Sequence, residues 1–431
     1  MTGRFTPTAA LHRAIGIAGL ALLAGAALGR AALVLLAVPF AIGTALSLAA
    51  RPGRQPVSTL SLDEPATVEG GPVAARVRVE SGLDQPVLCI VNVQLPNWIR
   101  LQHGTGFYAA LVRASSSVVA LRGTALRWGS YRLGPASTRT VACDGLLVAR
   151  SDVLPAVPLT VYPATGQFDS DQGLPRPTGI SGIHRSRRLG PGGELADVRP
   201  FQAGDRLRRI NWRVTQRVGA LHVNATLAER DAEVLLLLDA RHEAGSSGGV
   251  AGASSVLDAT VRAAAAIIEH YAHQGDRVAV LEYGSRLRRL PAGTGRRHYL
   301  SALEWLARVE PHPTGQVLGD RLLITGLQSA TAQVIVLTPL LDQESANLLA
   351  TLVRAGRAPV AVDTLPERIQ PPITGEWTLA GVRLWHLERV NTIGRLRGVG
   401  VPVEPWRGPG SLDAMLRHIN RLAAGPRVGA R

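Results

Sequence analysis

The stretch from Ala14 to Ala50 constrains this chain more than any other. It is almost uninterrupted apolar sequence, with Arg30 its only charge and Pro39 inside its second half. A helix needs about 20 residues to cross the hydrocarbon of a bilayer. Ala14–Gly29 is shorter than that, with His12 and Arg13 placed to snorkel to the interface, and Ala31–Ala50 is full length. Turning at Gly29-Arg30, the two read as a transmembrane hairpin over residues 14–50. The alternative is a signal peptide followed by one span: Ala14–Leu23 has the length of an h-region, and Ala24-Gly25-Ala26 formally fits a cleavage site. Orientation follows from arginine placement. Arg4 and Arg13 precede or open the first span, Arg51 and Arg54 follow the second, and the turn holds Arg30 alone. Residues 1–13 and everything beyond the hairpin are therefore expected in the cytoplasm, which makes this a two-helix, multi-pass protein of the cell membrane.

A chain of 431 residues has room for two or three folded units besides the hairpin. All 47 basic residues are arginine. Without lysine there is no Schiff base and no Gly-rich phosphate loop ending in Lys. Two cysteines, Cys89 and Cys143, exclude zinc ribbons and disulfide frameworks, and a bridge between them is not expected in a reducing cytosol. From residue 57 to 163, period-2 runs such as Val73–Val79, Val87–Val93 and Ser117–Leu121 alternate with turn residues, which predicts an antiparallel β-sandwich. Residues 164–182 are polar and Gly/Pro-rich and read as a linker. Beyond residue 231, apolar strands alternate with helical patterns. Strands are predicted at Glu233–Asp239, Arg277–Tyr283, Gln333–Thr338 and Pro359–Asp363, and helices at Ser255–His273, Arg297–Val309 and Glu344–Ala355. That alternation predicts a doubly wound α/β domain over 231–425, with ligands at the carboxyl ends of its strands, where Asp239, Asp342 and Asp363 stand.

Between these domains, residues 183–230 are arginine-rich: from Arg176 to Arg230 there are eleven arginines and four acids, a net +7 of the chain's +15. The run Asp197–Trp212 reads as strand, turn at Ala203-Gly204-Asp205, and second strand, with Arg206, Arg208, Ile210 and Trp212 on one face and Ile210 and Trp212 as packed anchors. Glu194, Asp205 and Glu229 are expected to pair with Arg199, Arg208 and Arg217.

The residues Gly190, Gly192, Glu194, Arg199, Gly204, Asp205, Arg208, Ile210, Trp212, Arg217 and Glu229 resemble the core of the DUF 58 family (domain of unknown function 58). Leu195, Phe201, Asn211 and Gln216 depart from its usual Phe, Tyr, Asp and Ala. Trp128–Pro135 and Asp144-Gly-Leu146 are similar to the end of that family's upstream sandwich. The resemblance implies a von Willebrand A-like C-terminal domain and association with a MoxR-type AAA+ ATPase. It also bears on metal binding. The von Willebrand A family holds Mg²⁺ through Asp-x-Ser-x-Ser and more distant oxygen donors. Here the similar positions are Asp239, Arg241 and Glu243, with Asp342 and Thr314 as further candidates. An arginine and a glutamate replace the serines, and a guanidinium repels the ion it would sit beside. The reading is a degenerate site, with Mg²⁺ as the cofactor it would take if it took one.

Other constellations point to little chemistry. Gly245–Gly249 fits Gly-x-Ser-x-Gly formally, but it lies in a long Gly/Ser loop rather than a tight elbow. His270 and His273 have no third ligand nearby. The arginine-rich segment has few aromatics for stacking on nucleic acid, so anionic lipids and an acidic protein surface are the favoured partners. The expectation is a non-enzymatic, membrane-anchored scaffold for the ATPase, possible roles being envelope maintenance and stress response. The alternatives are a hydrolase using strand-end carboxylates and a nucleic-acid-binding protein.

Overall fold

The computed structural model describes residues 5–53, 56–80, 87–112, 116–150, 153–164, 195–202, 205–226, 233–284, 288–311, 332–367, 369 and 375–408. Two compact units are distinguishable: residues 1–164 with 249–252, and residues 165–248 with 253–431.

The first unit opens with two helices, α1 (Ala9–Leu28) and α2 (Ala31–Ala49), each long and apolar enough to cross a membrane. Helix α1 starts before Ala14, so His12 and Arg13 lie inside it near its start, and it reaches spanning length without them as flanks. Gly29, at φ 60°, ends α1 in the left-handed region that lets the chain reverse at once. Gly25 lets the helices close: a Cβ there would stand 2.7 Å from Val34 Cγ2.

Among the described residues this unit has twelve strands. They are β1 (Thr6–Pro7), β2 (Val57–Leu62), β3 (Ala66–Val68), β4 (Pro72–Glu80), β5 (Val87–Val93), β6 (Ile99–Leu101), β7 (Phe107–Val112), β8 (Ser116–Ala125), β9 (Gly129–Leu133), β10 (Ala136–Ala142), β11 (Leu147–Arg150) and β12 (Val157–Tyr162). Burial alternates along the longer ones, such as β4, β5, β8 and β10. They form three sheets in the orders β1-β11-β10-β5-β7, β2-β4-β8-β6 and β3-β12-β9. All pairs are antiparallel except β3 with β12. Inward residues from each sheet, among them Val77 and Leu121, Cys89 and Val91, and Leu159 and Val161, join one core. Each such burial contributes about 1.5–3 kcal/mol. Cys89 and Cys143 are both free thiols, and burial pushes each above its ordinary pKa.

The second unit contains a two-stranded sheet, β13 (Leu195–Pro200) with β14 (His222–Thr226), joined by residues 201–221. It also contains a six-stranded sheet in the order β17-β16-β15-β18-β19-β20. Its strands are β15 (Glu233–Asp239), β16 (Arg277–Tyr283), β17 (Arg289–Gly293), β18 (Gln333–Thr338), β19 (Pro359–Asp363) and β20 (Val403–Pro405). All pair in parallel except β17, which runs antiparallel at the edge. Among the described residues the helices are α3 (Trp212–Val218), α4 (Val256–His273), α5 (Gly295–Leu306), α6 (Gln343–Arg354) and α7 (Thr378–Gly398). Strands β17 and β20 and helix α7 have no strong period and were not predicted from the sequence.

Continuous apolar strands need cover on both faces. Leu235 and Leu237 of β15 cluster with Leu348, Leu349 and Leu352 of α6 and Leu396 of α7. Leu236 and Leu238 point the other way and are equally buried. Helix α4 packs on β15, β16 and β18, and its buried residues extend beyond one stripe to Ala259, Ala263, Ala265 and Ala266. A reciprocal Ser255–Asp258 capping box starts it.

Candidate functional site

Strand order reverses between β15 and β18, and open α/β sheets collect ligands at the carboxyl ends of strands at such a point. Asp239 is the last residue of β15 and Thr338 the last of β18. By alternation Asp239 shares the face of Leu235 and Leu237, the face that α6 covers. Asp342 caps α6, accepting the Ser345 N–H at 2.9 Å, and so is held at the same strand ends.

Arg241 fills the space between these acids. Its Nε and Nη2 donate to the two oxygens of Asp239 at 3.0 and 3.1 Å. Nη1 and Nη2 donate to the two oxygens of Asp342, both at 3.0 Å. Nη1 also reaches Glu344 Oε2 at 2.8 Å, and Nη2 reaches the Ser345 hydroxyl at 2.5 Å. The guanidinium lies 4.8 Å from the centre of the Tyr283 ring. Thr338 Oγ1 donates to Asp239 Oδ2 at 2.9 Å, and the Ser345 hydroxyl lies 2.8 Å from both Asp239 Oδ2 and Asp342 Oδ1, its one proton shared between them. His242 Nε2 completes the group, 2.8 Å from Asp342 Oδ2.

Burial divides this cluster into an inside and an outside. Asp239 is 1% exposed and Arg241 5%, whereas the side chains of Asp342 and Glu344 are 27% and 59% exposed. Burial is the largest single influence on Arg241 and opposes its charge, but bonding to Asp239 and the charges of Asp239 and Asp342 together raise its pKa above the ordinary value. Burial likewise works against the charge of Asp342. The Ser345 amide and hydroxyl, His242 and Arg241 outweigh it and hold that carboxyl down at about 2. With three carboxylates around one guanidinium, the exposed rim of the cluster is acidic.

A divalent cation does not fit here while Arg241 is in place. The carboxylate oxygens it would need already accept from the guanidinium at hydrogen-bonding distance, and a second positive charge would be repelled within a few ångströms. Glu243 is exposed, and Thr314 lies outside the described residues.

A second strand-end acid is locked in the same way. Asp363, last in β19, accepts from Arg389 Nη2 of α7 at 2.5 Å, and the same nitrogen donates to Pro339 O at 3.1 Å. The two side chains are 12% and 9% exposed. On the opposite face, fully buried Glu282 of β16 stands 3.1 Å from Arg288, whose guanidinium lies over Trp305 at 4.4 Å. Sequence reading singled out Asp239, Asp342 and Asp363 but not Arg389, Ser345, Glu344, Thr338, His242 or Tyr283. The Asp342-x-x-Ser345 spacing is a helix-cap signal that leads to Ser345.

In the arginine-rich segment, Arg199 and Asp205 form a bidentate pair, Nη1 to Oδ2 at 2.8 Å and Nη2 to Oδ1 at 2.7 Å. These bonds, with the Gln202 N–H, lower the pKa of Asp205. The predicted second strand is not one. Leu207–Arg209 is a 3₁₀ turn, and Trp212 begins α3. Asn211 caps that helix, its Oδ1 accepting the Val214 N–H at 3.2 Å while Nδ2 donates to Asn224 Oδ1 at 2.8 Å. An asparagine here serves as a cap as well as the usual aspartate would. Ile210 is buried against Val223, but Trp212 is 63% exposed and is not a packed anchor. Arg208 and Arg217 are exposed and form no ion pair among the described residues. Gly190, Gly192, Glu194, Gly204 and Glu229 lie outside the described residues, as does most of the 164–182 linker. Ser247 sits in the loop between β15 and α4 rather than in a strand-to-helix elbow.

Comparison with known proteins bears on the second unit. Residues 197–392 match the family described as protein of unknown function DUF58. Uncharacterized proteins of Mycobacterium tuberculosis and Mycobacterium bovis are 36% identical to the chain over 142 residues, 33% of this chain and 44% of theirs. The match thus spans less than half the length of those curated relatives. Among solved structures, the cupredoxin domain of amoB from Nitrosocaldus yellowstonii is similar with a TM-score of 0.17 and 10% identity, covering 26% of this chain and 88% of that one. So slight a likeness carries no argument.

Proposed function

We propose that this chain, whose residues 197–392 are a DUF58 domain, is a non-enzymatic, membrane-anchored adaptor. Its two apolar helices form a hairpin in the cell membrane with both ends in the cytoplasm, as arginine placement favours. The twelve-stranded unit is a β-sandwich spacer, and the six-stranded unit a von Willebrand A-like domain, a reading supported by its strand order and its antiparallel edge strand. That domain docks a partner at its strand ends, and the family resemblance makes the partner a MoxR-type AAA+ ATPase.

The observation that carries this reading is Arg241. Hydrolysis by strand-end carboxylates needs a carboxylate able to take a proton or bind a metal. Asp239 and Asp342 instead spend both carboxylate oxygens on buried Arg241, and Asp363 spends one on Arg389. What stays accessible is a rigid rim bearing Asp342 and Glu344, an arrangement suited to meeting a basic protein surface. The test is crosslinking in native membranes followed by purification of the chain. Recovery of an AAA+ ATPase, lost in an Asp342→Arg/Glu344→Arg variant that still folds, is the expected result. Recovery of no ATPase, or equal recovery with the variant, would overturn the docking assignment.

A further inference from the structure

Among the described residues, the connection between β13 and β14, residues 201–221, is one of two stretches of its unit, the other being Trp377 with α7, that expose several large apolar side chains. Four in the connection stand exposed: Leu207 at 70%, Trp212 at 63%, Val218 at 58% and Leu221 at 45%. Between them Arg206, Arg208, Arg213 and Arg217 are also exposed, and none forms an ion pair among the described residues. The one acid in the connection, Asp205, is already neutralised by Arg199. A soluble surface rarely combines so much exposed apolar area with charge of a single sign unless something covers it.

We infer that this connection is a bilayer-docking surface, its arginines taking anionic lipid headgroups while Trp212 and Leu207 enter the interfacial layer. Exposed tryptophan and leucine beside arginines with long apolar stems is the composition that partitions into a headgroup region. Charge complementarity selects an anionic leaflet. The inference rests on the membrane-anchored reading: a chain held by two spanning helices presents this surface to lipid at high effective concentration, so contacts too weak to recruit a free protein suffice. Single-stranded nucleic acid fits less well, since Trp212 is the one large aromatic exposed there and strand binding uses several.

The test uses the full chain in nanodiscs, with Leu207→Cys carrying an environment-sensitive fluorophore. The native Cys89 and Cys143 are buried. Leu300→Cys, on α5, serves as the control position. In phosphatidylcholine discs containing phosphatidylglycerol, the label at 207 should shift to the blue relative to pure phosphatidylcholine. The shift should disappear at about 1 M salt, where the Debye length falls to about 3 Å. It should also disappear in a variant with Arg206, Arg208, Arg213 and Arg217 all changed to Gln, whose melting curve shows that it folds. Identical spectra in the two lipids, or a shift that appears only on adding a single-stranded oligonucleotide, would overturn the inference while leaving the anchor intact. A chain that fails to remain with either disc would overturn the anchored reading as well.

Discussion

Arg241 is 5% exposed and divides its guanidinium among two aspartates, a glutamate and a serine, whereas Arg206, Arg208, Arg213 and Arg217 of the same unit stand in solvent without an ion pair among the described residues. The residue type is the same and the physical situation is opposite. A buried guanidinium is tolerated only when its donors and its charge are met on every side, and its removal strands the acids around it. An exposed one is hydrated and contributes almost nothing to stability, so its charge stays available to a partner. The net charge of +15 is therefore not one property of this chain. Part of it is spent inside the fold on strand-end carboxylates, and part is displayed on the connection between β13 and β14.

The contrast can be broken by mutation. Arg241→Ala should be the most damaging change, at roughly 3–5 kcal/mol, because it leaves Asp239 buried with an uncompensated charge. Denaturant unfolding of the detergent-solubilised chain measures this, and a loss under 1 kcal/mol would refute the assignment. Arg389→Ala should cost about 3 kcal/mol by the same mechanism at Asp363.

Acid should probe the Arg241 cluster without mutation. The carboxyl of Asp342 is depressed from an ordinary 3.8 to about 2, so the unfolded chain takes up its proton first as pH falls. The associated stability, about 2 kcal/mol, is fully present above about pH 4 and is lost as pH drops toward 2. In Asp342→Asn that part of the acid dependence should vanish. Asn211→Ala should cost about 1 kcal/mol through loss of the α3 cap. Arg213→Gln, on the exposed side of the comparison, should stay within about 0.5 kcal/mol of the parent.

Much of this organisation was legible in the sequence wherever a local period carried it. The apolar run before Ala50 resolves into two helices, Glu233–Asp239 reads as a buried strand ending in an acid, and the period-2 runs Val73–Val79 and Val87–Val93 fall on β4 and β5. The candidate site was half legible. Its acids stand at strand ends, where topology predicts function, but the partners that silence them lie far along the chain: Ser345 is 104 residues from Arg241, and Arg389 is 26 from Asp363. No periodicity reports such pairs. The Arg206–Trp212 segment misled for a different reason. Its residues alternate as a strand would, yet Asn211 offers its side chain to the Val214 amide and starts a helix instead, which turns Trp212 outward.

The central claim is that Arg241 stands at the strand-order reversal as a built-in cation, leaving no place for a metal. Isothermal titration of the purified chain with Mn²⁺ at neutral pH tests it most directly. No saturable heat into the millimolar range is the predicted result. Micromolar affinity that disappears in Asp239→Ala would contradict it.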